Sequence, residues 1–338
     1  MKSMLDAKRI NSKSIATFLL NNAILVLLLV IFVMVGILRA GFFSRQVLIN
    51  LINNTAPRFI VALGVSGCLI AKGTDLSAGR AVGLSGCIAA TFLQRADYAS
   101  KVYHNIGDIN IVLVMVGVVL IAAVFGAVNG SVISFLKVPP FIATLGMQTI
   151  IYGICLVFTG AQPIGGLRDD YTKMSSGFLF DVKMLPYLGF FALGCGVIIW
   201  FIYNKTAHGK YLYAIGGNEA AAESNGINTG RTKIIIYASA GALYGLAGFL
   251  LGAKAGGTSV NLGMGWELEA IAGCTIGGVS TNGGVGRVSG ILVGVLVFEL
   301  LKIAMQFMGI EPSYTYIVQG LVIILAVAVD MRRYFGRK

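Results

Sequence analysis

Long apolar segments dominate this chain, and they constrain its fold more than any other feature. A helix needs about 20 predominantly apolar residues to cross roughly 30 Å of hydrocarbon, and ten segments come close to that requirement. They are 17–38, 47–71, 77–94, 111–136, 140–160, 186–203, 234–255, 266–280, 286–308 and 313–331. We therefore predict an all-α polytopic membrane protein with about ten transmembrane helices, which form a single transmembrane domain over 1–338.

Two of these segments fit the pattern less well than the others. Segment 47–71 contains Pro57 and Arg58, and segment 266–280 is short and has two glutamates near its start. Proline interrupts helical hydrogen bonding, and a charge within hydrocarbon is unfavourable. Both segments are therefore candidates for broken or partly re-entrant helices.

Composition excludes the main soluble classes. Hydrophobic residues make up 57% of the 338 residues and charged residues only 12%, which is too apolar for a soluble domain. The net charge of +12 does not indicate a nucleic-acid partner, because most basic residues lie at the ends of apolar segments, where they set orientation in the lipid. The five cysteines are scattered singly, so neither a metal site nor a catalytic cysteine is predicted.

The distribution of lysine and arginine predicts the orientation. If the N-terminus is cytoplasmic and all ten segments cross, the inner loops, Arg80 included, hold sixteen Lys and Arg residues and the outer loops hold eight. Positive charge favours the inner side. Both termini and the loop 204–233 are therefore expected in the cytoplasm.

The order of the segments indicates an internal repeat. Segments two to five and segments seven to ten form two groups of four that run in opposite directions. The second member of each group, 77–94 or 266–280, is short and flanked by glycines. Interrupted segments at matching places in inverted halves are typical of transport proteins, in which irregular backbone lines a cavity or is buried in protein.

The loop 204–233 is polar and glycine-rich in an otherwise apolar chain. Gly216, Gly217 and Asn218 precede a helix-compatible run at 219–225, and Gly226 stops that run. We predict a short helix on the cytoplasmic surface, where a soluble partner docks.

Several polar side chains are candidates for a translocation pathway. They are Asp75, Ser77, Asn129, Thr144, Glu267 and Glu269. For Asp75 and Ser77 a helix cap in a tight turn is the alternative, and for the two glutamates it is a charge that favours a helix N-terminus. Glu299 and Lys302 are spaced for an ion pair on one helix face, which we favour over a proton relay. The glycine-rich loop 277–286 lacks the order of a phosphate-binding motif, so this chain is not expected to bind nucleotide.

Five motifs, in order along the chain, resemble motifs of a known family of membrane proteins. They are G-T-D-L-S-A-G-R at 73–80, P-F-I-A-T-L-G at 140–146, G-K-x-x-x-A-I-G-G-N-x-x-A-A-x-x-x-G-I at 209–227, I-G-G-V-S-x-x-G-G-V-G at 276–286 and I-I-L-A-V-A-V-D at 323–330. The sequence resembles the permease subunits of bacterial ABC importers for ribose, xylose, arabinose and galactose. The first motif is most similar to that of the galactose and methyl-galactoside permeases.

The resemblance implies a type II importer permease in the bacterial cytoplasmic (inner) membrane that acts as a homodimer. Its partners would be ABC ATPase subunits, which use ATP and Mg²⁺, and a periplasmic or lipid-anchored sugar-binding protein; the chain itself would need no cofactor and catalyse no reaction. The coupling helix of the family would map onto Gly217, Asn218, Glu219, Ala221, Ala222, Gly226 and Ile227. An ion-coupled secondary sugar transporter, with Glu299 and Lys302 as its relay, is the alternative, and a membrane enzyme ranks third.

Overall fold

The fold is a bundle of helices. The computed structural model describes residues 23–178 and 186–335, and these contain thirteen α-helices. They are α1 (Ala23–Leu38), α2 (Arg45–Ile70), α3 (Ala78–Phe92), α4 (Ile111–Phe135), α5 (Pro140–Thr159), α6 (Asp169–Ser176), α7 (Tyr187–Lys205), α8 (Ala207–Gly217), α9 (Glu219–Ser224), α10 (Thr229–Ala255), α11 (Trp266–Ile276), α12 (Val288–Phe307) and α13 (Pro312–Phe335).

Each of the ten predicted segments overlaps one of these helices; residues 17–22 of the first segment lie outside the described part. Among the described helices, seven are long and apolar enough to cross a membrane, namely α2, α4, α5, α7, α10, α12 and α13. The described part of α1 has 16 residues, α3 has 15 and α11 has 11. At 1.5 Å per residue, α11 reaches only about half-way across the hydrocarbon. The all-α membrane fold is thus confirmed, whereas the count of ten transmembrane helices is approximate.

Helix α2 is continuous through Pro57, so the break considered for this segment is not found. Proline cannot donate a hydrogen bond to the carbonyl four residues earlier, which here is that of Asn53. That carbonyl instead accepts from Lys254 Nζ at 3.2 Å. Arg58 Nη1 donates to the next carbonyl, that of Asn54, at 3.1 Å. Side-chain donors thus compensate for the proline and allow α2 to cross in one piece.

The predicted inverted repeat is visible in the packing of helices. Helices α2 to α5 correspond in order to α10 to α13, and the contacts of one half are repeated in the other. Helix α10 packs on α3 and α4, as α2 packs on α11 and α12. Within the halves, α3 contacts α4 and α5, and α11 contacts α12 and α13. Helices α2 and α10 pack on each other at the centre, which fits a two-fold relation between the halves.

Glycines let the helices of this bundle approach closely. A Cβ added at Gly241 would collide with the backbone of α4 at Ala122, and one added at Gly248 would collide with α3. In the same way, Gly294 of α12 lies directly against the backbone of α11, and Gly290 lies against Gly277 at the end of α11. Small residues at such positions are typical of helix packing in membranes, and here they serve contacts within one chain.

Candidate functional site

Helix α9 is short, and both of its ends are capped. Asn218 Oδ1 accepts from the N–H of Ala221 at 3.0 Å, as expected of an N-cap. At the other end Gly226 adopts φ 81°, and the N–H of Ile227 donates to the carbonyl of Ala222 at 3.1 Å. This is the Schellman arrangement, in which a left-handed glycine ends the helix. The helix predicted at 219–225 is therefore present as Glu219–Ser224.

Two polar contacts fix α9 to the start of α10. Lys233 Nζ donates to Glu219 Oε1 at 2.6 Å, and Thr229 Oγ1 donates to Glu223 Oε1 at 2.5 Å. Ala222 is buried against the permease itself, whereas Ala221 is exposed. The surface that α9 presents to a partner is therefore formed by Ala221 and its exposed neighbours, and not by Ala222.

Helix α8 connects α9 to the membrane-spanning helices. At its end Gly216 lies against the carbonyl of Ile70 and the N–H of Gly284, with no room for a Cβ. The N–H of Gly284 in turn donates to the carbonyl of Ile70 at 2.8 Å, and Tyr213 Oη donates to the carbonyl of Gly286 at 2.9 Å. The end of α2, the end of α8 and the loop 277–287 thus form one tightly packed unit beneath α9.

The loop 277–287 is also fixed by α13. Asp330 Oδ2 accepts from the backbone N–H of Thr281 at 3.0 Å and from its hydroxyl at 2.8 Å. The free donors of this turn are therefore used by a carboxylate of the same chain.

The first four pathway candidates lie together where α3 begins. Ser77 donates its hydroxyl to Asp75 Oδ1 at 2.6 Å and its N–H to the same oxygen at 3.0 Å. Asn129 Nδ2 donates to Ser77 Oγ at 3.0 Å, and Thr144 Oγ1 accepts from the N–H of Leu76 at 3.1 Å. All four side chains are buried within the chain. Asp75 is the residue that caps the turn, because the Ser77 side chain makes no cap hydrogen bond of its own.

Glu267 lies beside this network, although α11 belongs to the other half. Its carboxylate rests against Gly79, where an added Cβ would collide with it and with the carbonyl of Gly263. The start of α11 thus meets the start of α3 inside the bundle. Asp75 Oδ2 and Glu267 Oε2 are buried and have no hydrogen-bond partner among the described residues.

Glu269 belongs to a second network that joins α2, α11 and α12. Lys302 Nζ lies 2.6 Å from Glu269 Oε2 and 3.8 Å from Glu299 Oε2. Arg58 Nε lies 3.0 Å from Glu269 and 3.5 Å from Glu299, and its guanidinium lies over the ring of Trp266. The predicted Glu299–Lys302 pair is confirmed, but it is the weaker part of a four-charge cluster with no net charge.

The opposite end of the molecule is closed by α6. Arg168 pairs with Asp170 and lies 3.7 Å from Asp108, and its Nη1 donates to the carbonyl of Ile109 at 2.9 Å. The hydrogen bond from Arg168 lowers the pKa of the Asp170 carboxyl. Arg80, expected in an inner loop, lies instead within α3, where it donates to the carbonyl of Val260 at 3.0 Å.

Helix α8 was missed in the sequence, although a signal for it was present. Gly209, Leu212 and Gly216 recur at helical spacing, and all are buried, but the polar and glycine-rich composition of this stretch indicated a loop. The contacts of Arg58 and Lys254 had no sequence signal, because their partners lie some 200 residues away.

Comparison with known proteins places the chain in a family. Residues 47–327 match the model of the branched-chain amino acid transport system / permease component family. The chain belongs to this family of membrane permease components. No solved structure matches it.

Curated relatives are similar over nearly the full length. The chain is 41% identical over 333 residues to the galactose/methyl galactoside import permease protein of Escherichia coli, covering 97% of this chain and 99% of the relative. It is 42% identical over 294 residues to the protein of the same name in Haemophilus influenzae, covering 86% of this chain and 87% of the relative. The ribose import permease protein of Haemophilus influenzae is 31% identical over 328 residues, covering 96% of each chain.

Proposed function

We propose that this chain is the transmembrane permease subunit of an ATP-driven importer that carries a monosaccharide, galactose or a methyl galactoside, into a bacterial cell. The proposal rests on the full-length similarity to galactose/methyl galactoside import permeases. The 31% identity to ribose import permeases fits the same type of transporter with a different sugar. The chain supplies the route across the membrane and hydrolyses nothing itself.

The structural observation that supports this function is the seating of α9. Its outer surface is exposed, while α8 beneath it packs without a gap on the end of α2 and on the loop 277–287. A displacement of α9 would therefore be transmitted to both halves of the inverted repeat. An ATPase that closes around ATP and Mg²⁺ on the cytoplasmic side would provide that displacement.

The remaining partners follow from the same proposal. A periplasmic or lipid-anchored sugar-binding protein delivers the sugar at the α6 end, and a second copy of this chain completes the pathway. Helices α4, α5 and α13 bury little of their apolar surface within one chain, so surface is available there for contact with that second copy. Ser77, Asn129 and Thr144 offer transient hydrogen bonds to sugar hydroxyls if the bundle opens at the start of α3.

Sugar uptake into proteoliposomes in which the orientation of the permease is controlled tests the proposal. The chain is reconstituted with an ABC ATPase and a sugar-binding protein from the same bacterium, and labelled galactose uptake is measured with and without proton and sodium ionophores. Uptake that requires ATP and the ATPase and is insensitive to ionophores supports the importer. Uptake by the chain alone, driven by an ion gradient, contradicts it.

One observation favours the ion-coupled alternative. Asp75 and Glu267 each leave a buried carboxylate oxygen without a hydrogen-bond partner in the described part of the chain, and ionisable groups inside membranes often carry protons or ions. If this alternative holds, Asp75→Asn should abolish ionophore-sensitive uptake. In an ATP-driven importer, uptake by the parent chain and by the Asp75→Asn variant would be independent of the ion gradient.

A further inference from the structure

A basic cleft of about 480 Å³ lies beside α9. Its walls are the end of α2, the turn between α4 and α5, the inner side of α9 and the start of α10. The charged groups that line it are Lys72, Lys137, Lys233, Glu219 and Glu223. None of the predicted pathway residues lies in its wall. Of the predicted coupling residues, Glu219 lines the cleft and Ala221 does not.

The charges of the basic cleft are not balanced. Lys233 is paired with Glu219 at 2.6 Å, and Glu223 is held by the hydroxyl of Thr229. Lys72 and Lys137 make no ion pair and no side-chain hydrogen bond with any residue that the structure describes. The cleft therefore presents two uncompensated ammonium groups.

The backbone of these two lysines is unusual. Lys72 has φ 63° and Lys137 has φ 54°, the left-handed region that side chains other than glycine and asparagine seldom adopt. Each follows the last turn of a helix, α2 or α4, at the position where glycine is preferred. Only one other non-glycine residue in the described chain, Ala161, has positive φ. The presence of lysine at two strained positions that face one cleft indicates that its charge has a role.

The level of the basic cleft and its rim indicate the kind of anion. The cleft lies at the ends of membrane-spanning helices, where lipid headgroups are found. The residues that flank its α4–α5 wall in the chain are large, apolar and exposed: Phe135, Leu136, Phe141 and Ile142. A soluble acidic partner offers nothing to cover these side chains, whereas a phospholipid brings a phosphate for the lysines and acyl chains for the rim.

We propose that the basic cleft binds the headgroup of an anionic phospholipid of the inner leaflet. Basic pockets between helices at the cytoplasmic side of a membrane bind such headgroups. A phosphate held by Lys72 and Lys137 would bridge the end of α2 to the α4–α5 turn, so the lipid would fix the inner ends of these helices next to the coupling helix.

Replacement of the two lysines by glycine provides a direct test. The Lys72→Gly, Lys137→Gly double variant removes both charges and also relieves the left-handed backbone, so its melting temperature in detergent should equal or exceed that of the parent chain. Phosphatidylglycerol retention is measured by native mass spectrometry on the purified full-length permease. We expect the affinity to fall roughly tenfold or more, given the attraction of each lysine for an anionic headgroup.

Two control variants make the result specific. Lys205→Gln with Lys210→Gln removes the same charge from α7 and α8, outside the cleft, and should leave retention unchanged; Lys72→Arg with Lys137→Arg should retain the lipid. Equal losses in the glycine and glutamine variants, or no loss in either, would overturn the proposal. Unchanged retention with weaker binding of the ATPase would also overturn it, because the cleft would then hold an acidic side chain of that partner.

The lipid assay uses the permease alone and needs neither ATP nor sugar, so it does not depend on the proposed function. The effect on coupling does rest on that function. ATP-driven uptake should rise with the phosphatidylglycerol content of the vesicles for the parent chain and remain flat for the double glycine variant.

Discussion

At the scale of single residues, Gly79 is a position where the two halves of the repeat are in close contact. An added Cβ would collide with the Glu267 carboxylate and with the backbone carbonyl of Gly263. Since the backbone cannot move aside as a flexible side chain would, we expect Gly79→Ala to cost roughly 1–3 kcal/mol of stability. Thermal unfolding in detergent should show a lower midpoint. Gly146→Ala on α5, where no atom lies within 4 Å, should not lower the midpoint, because alanine favours a helix over glycine. Equal losses in both variants would contradict this.

Single-residue roles were predictable from the sequence when the partner is close in the chain. Asn218 and Gly226 set the ends of α9 because caps act over three or four residues. The pairing of Glu299 with Lys302 follows from helical spacing. The shorter contact of Lys302, to Glu269 at 2.6 Å, joins residues on different helices, and no local rule identifies it. For the same reason the inward orientation of Ala222 was not foreseen.

At the scale of helices, the four-charge cluster fixes α11 to α2 and α12. Removing one member leaves an uncompensated buried charge, so we expect Lys302→Met to destabilise the protein by about 3–5 kcal/mol. Adding Glu269→Gln leaves Arg58 with Glu299, a neutral pair, and should restore most of the loss. Melting curves of the single and double variants check this. If the loss of stability in the double variant equals the sum of the losses in the two single variants, the cluster is not a coupled unit.

The double variant also bears on mechanism. An importer that uses these charges for structure should retain ATP-driven uptake in Lys302→Met, Glu269→Gln. An ion-coupled transporter with Glu299 and Lys302 as its relay should lose uptake in the same variant. Uptake of labelled galactose, corrected for the amount of inserted protein, distinguishes the two.

Helix α9 is the element whose outer surface should engage the ATPase. Ala221 is exposed, so Ala221→Trp should insert and melt like the parent chain, yet reduce ATP-driven uptake and ATPase binding severely, because a large side chain prevents close contact. Ala221→Ser is the small control and should transport normally. Ala222→Trp should instead lower the melting temperature, since Ala222 is buried. Normal uptake by Ala221→Trp would show that the docking surface lies elsewhere.

At the scale of the whole molecule, segment order alone predicted the inverted halves, and the packing of helices agrees with it. The sequence could not show that α3 and α11 begin against each other inside the bundle. That arrangement depends on 256–265, which lacks helical hydrophobic periodicity and runs along α3 with its carbonyls against Gly79, Arg80 and Gly83. Hydrophobicity detects segments that face lipid, but a stretch enclosed by protein need not be apolar.

The sidedness of the molecule remains a prediction, and the chain is well suited to test it. All five cysteines are buried and free, so a membrane-impermeant maleimide should react little with the parent protein. Ser224→Cys places a thiol on α9, and Ser176→Cys places one on α6 at the opposite end; both positions are exposed. In intact cells or spheroplasts, Ser176→Cys should be labelled and Ser224→Cys should react only after permeabilisation. The reverse pattern would put α9 outside, where no ATPase could reach it, and would exclude the coupling role on which ATP-driven import depends.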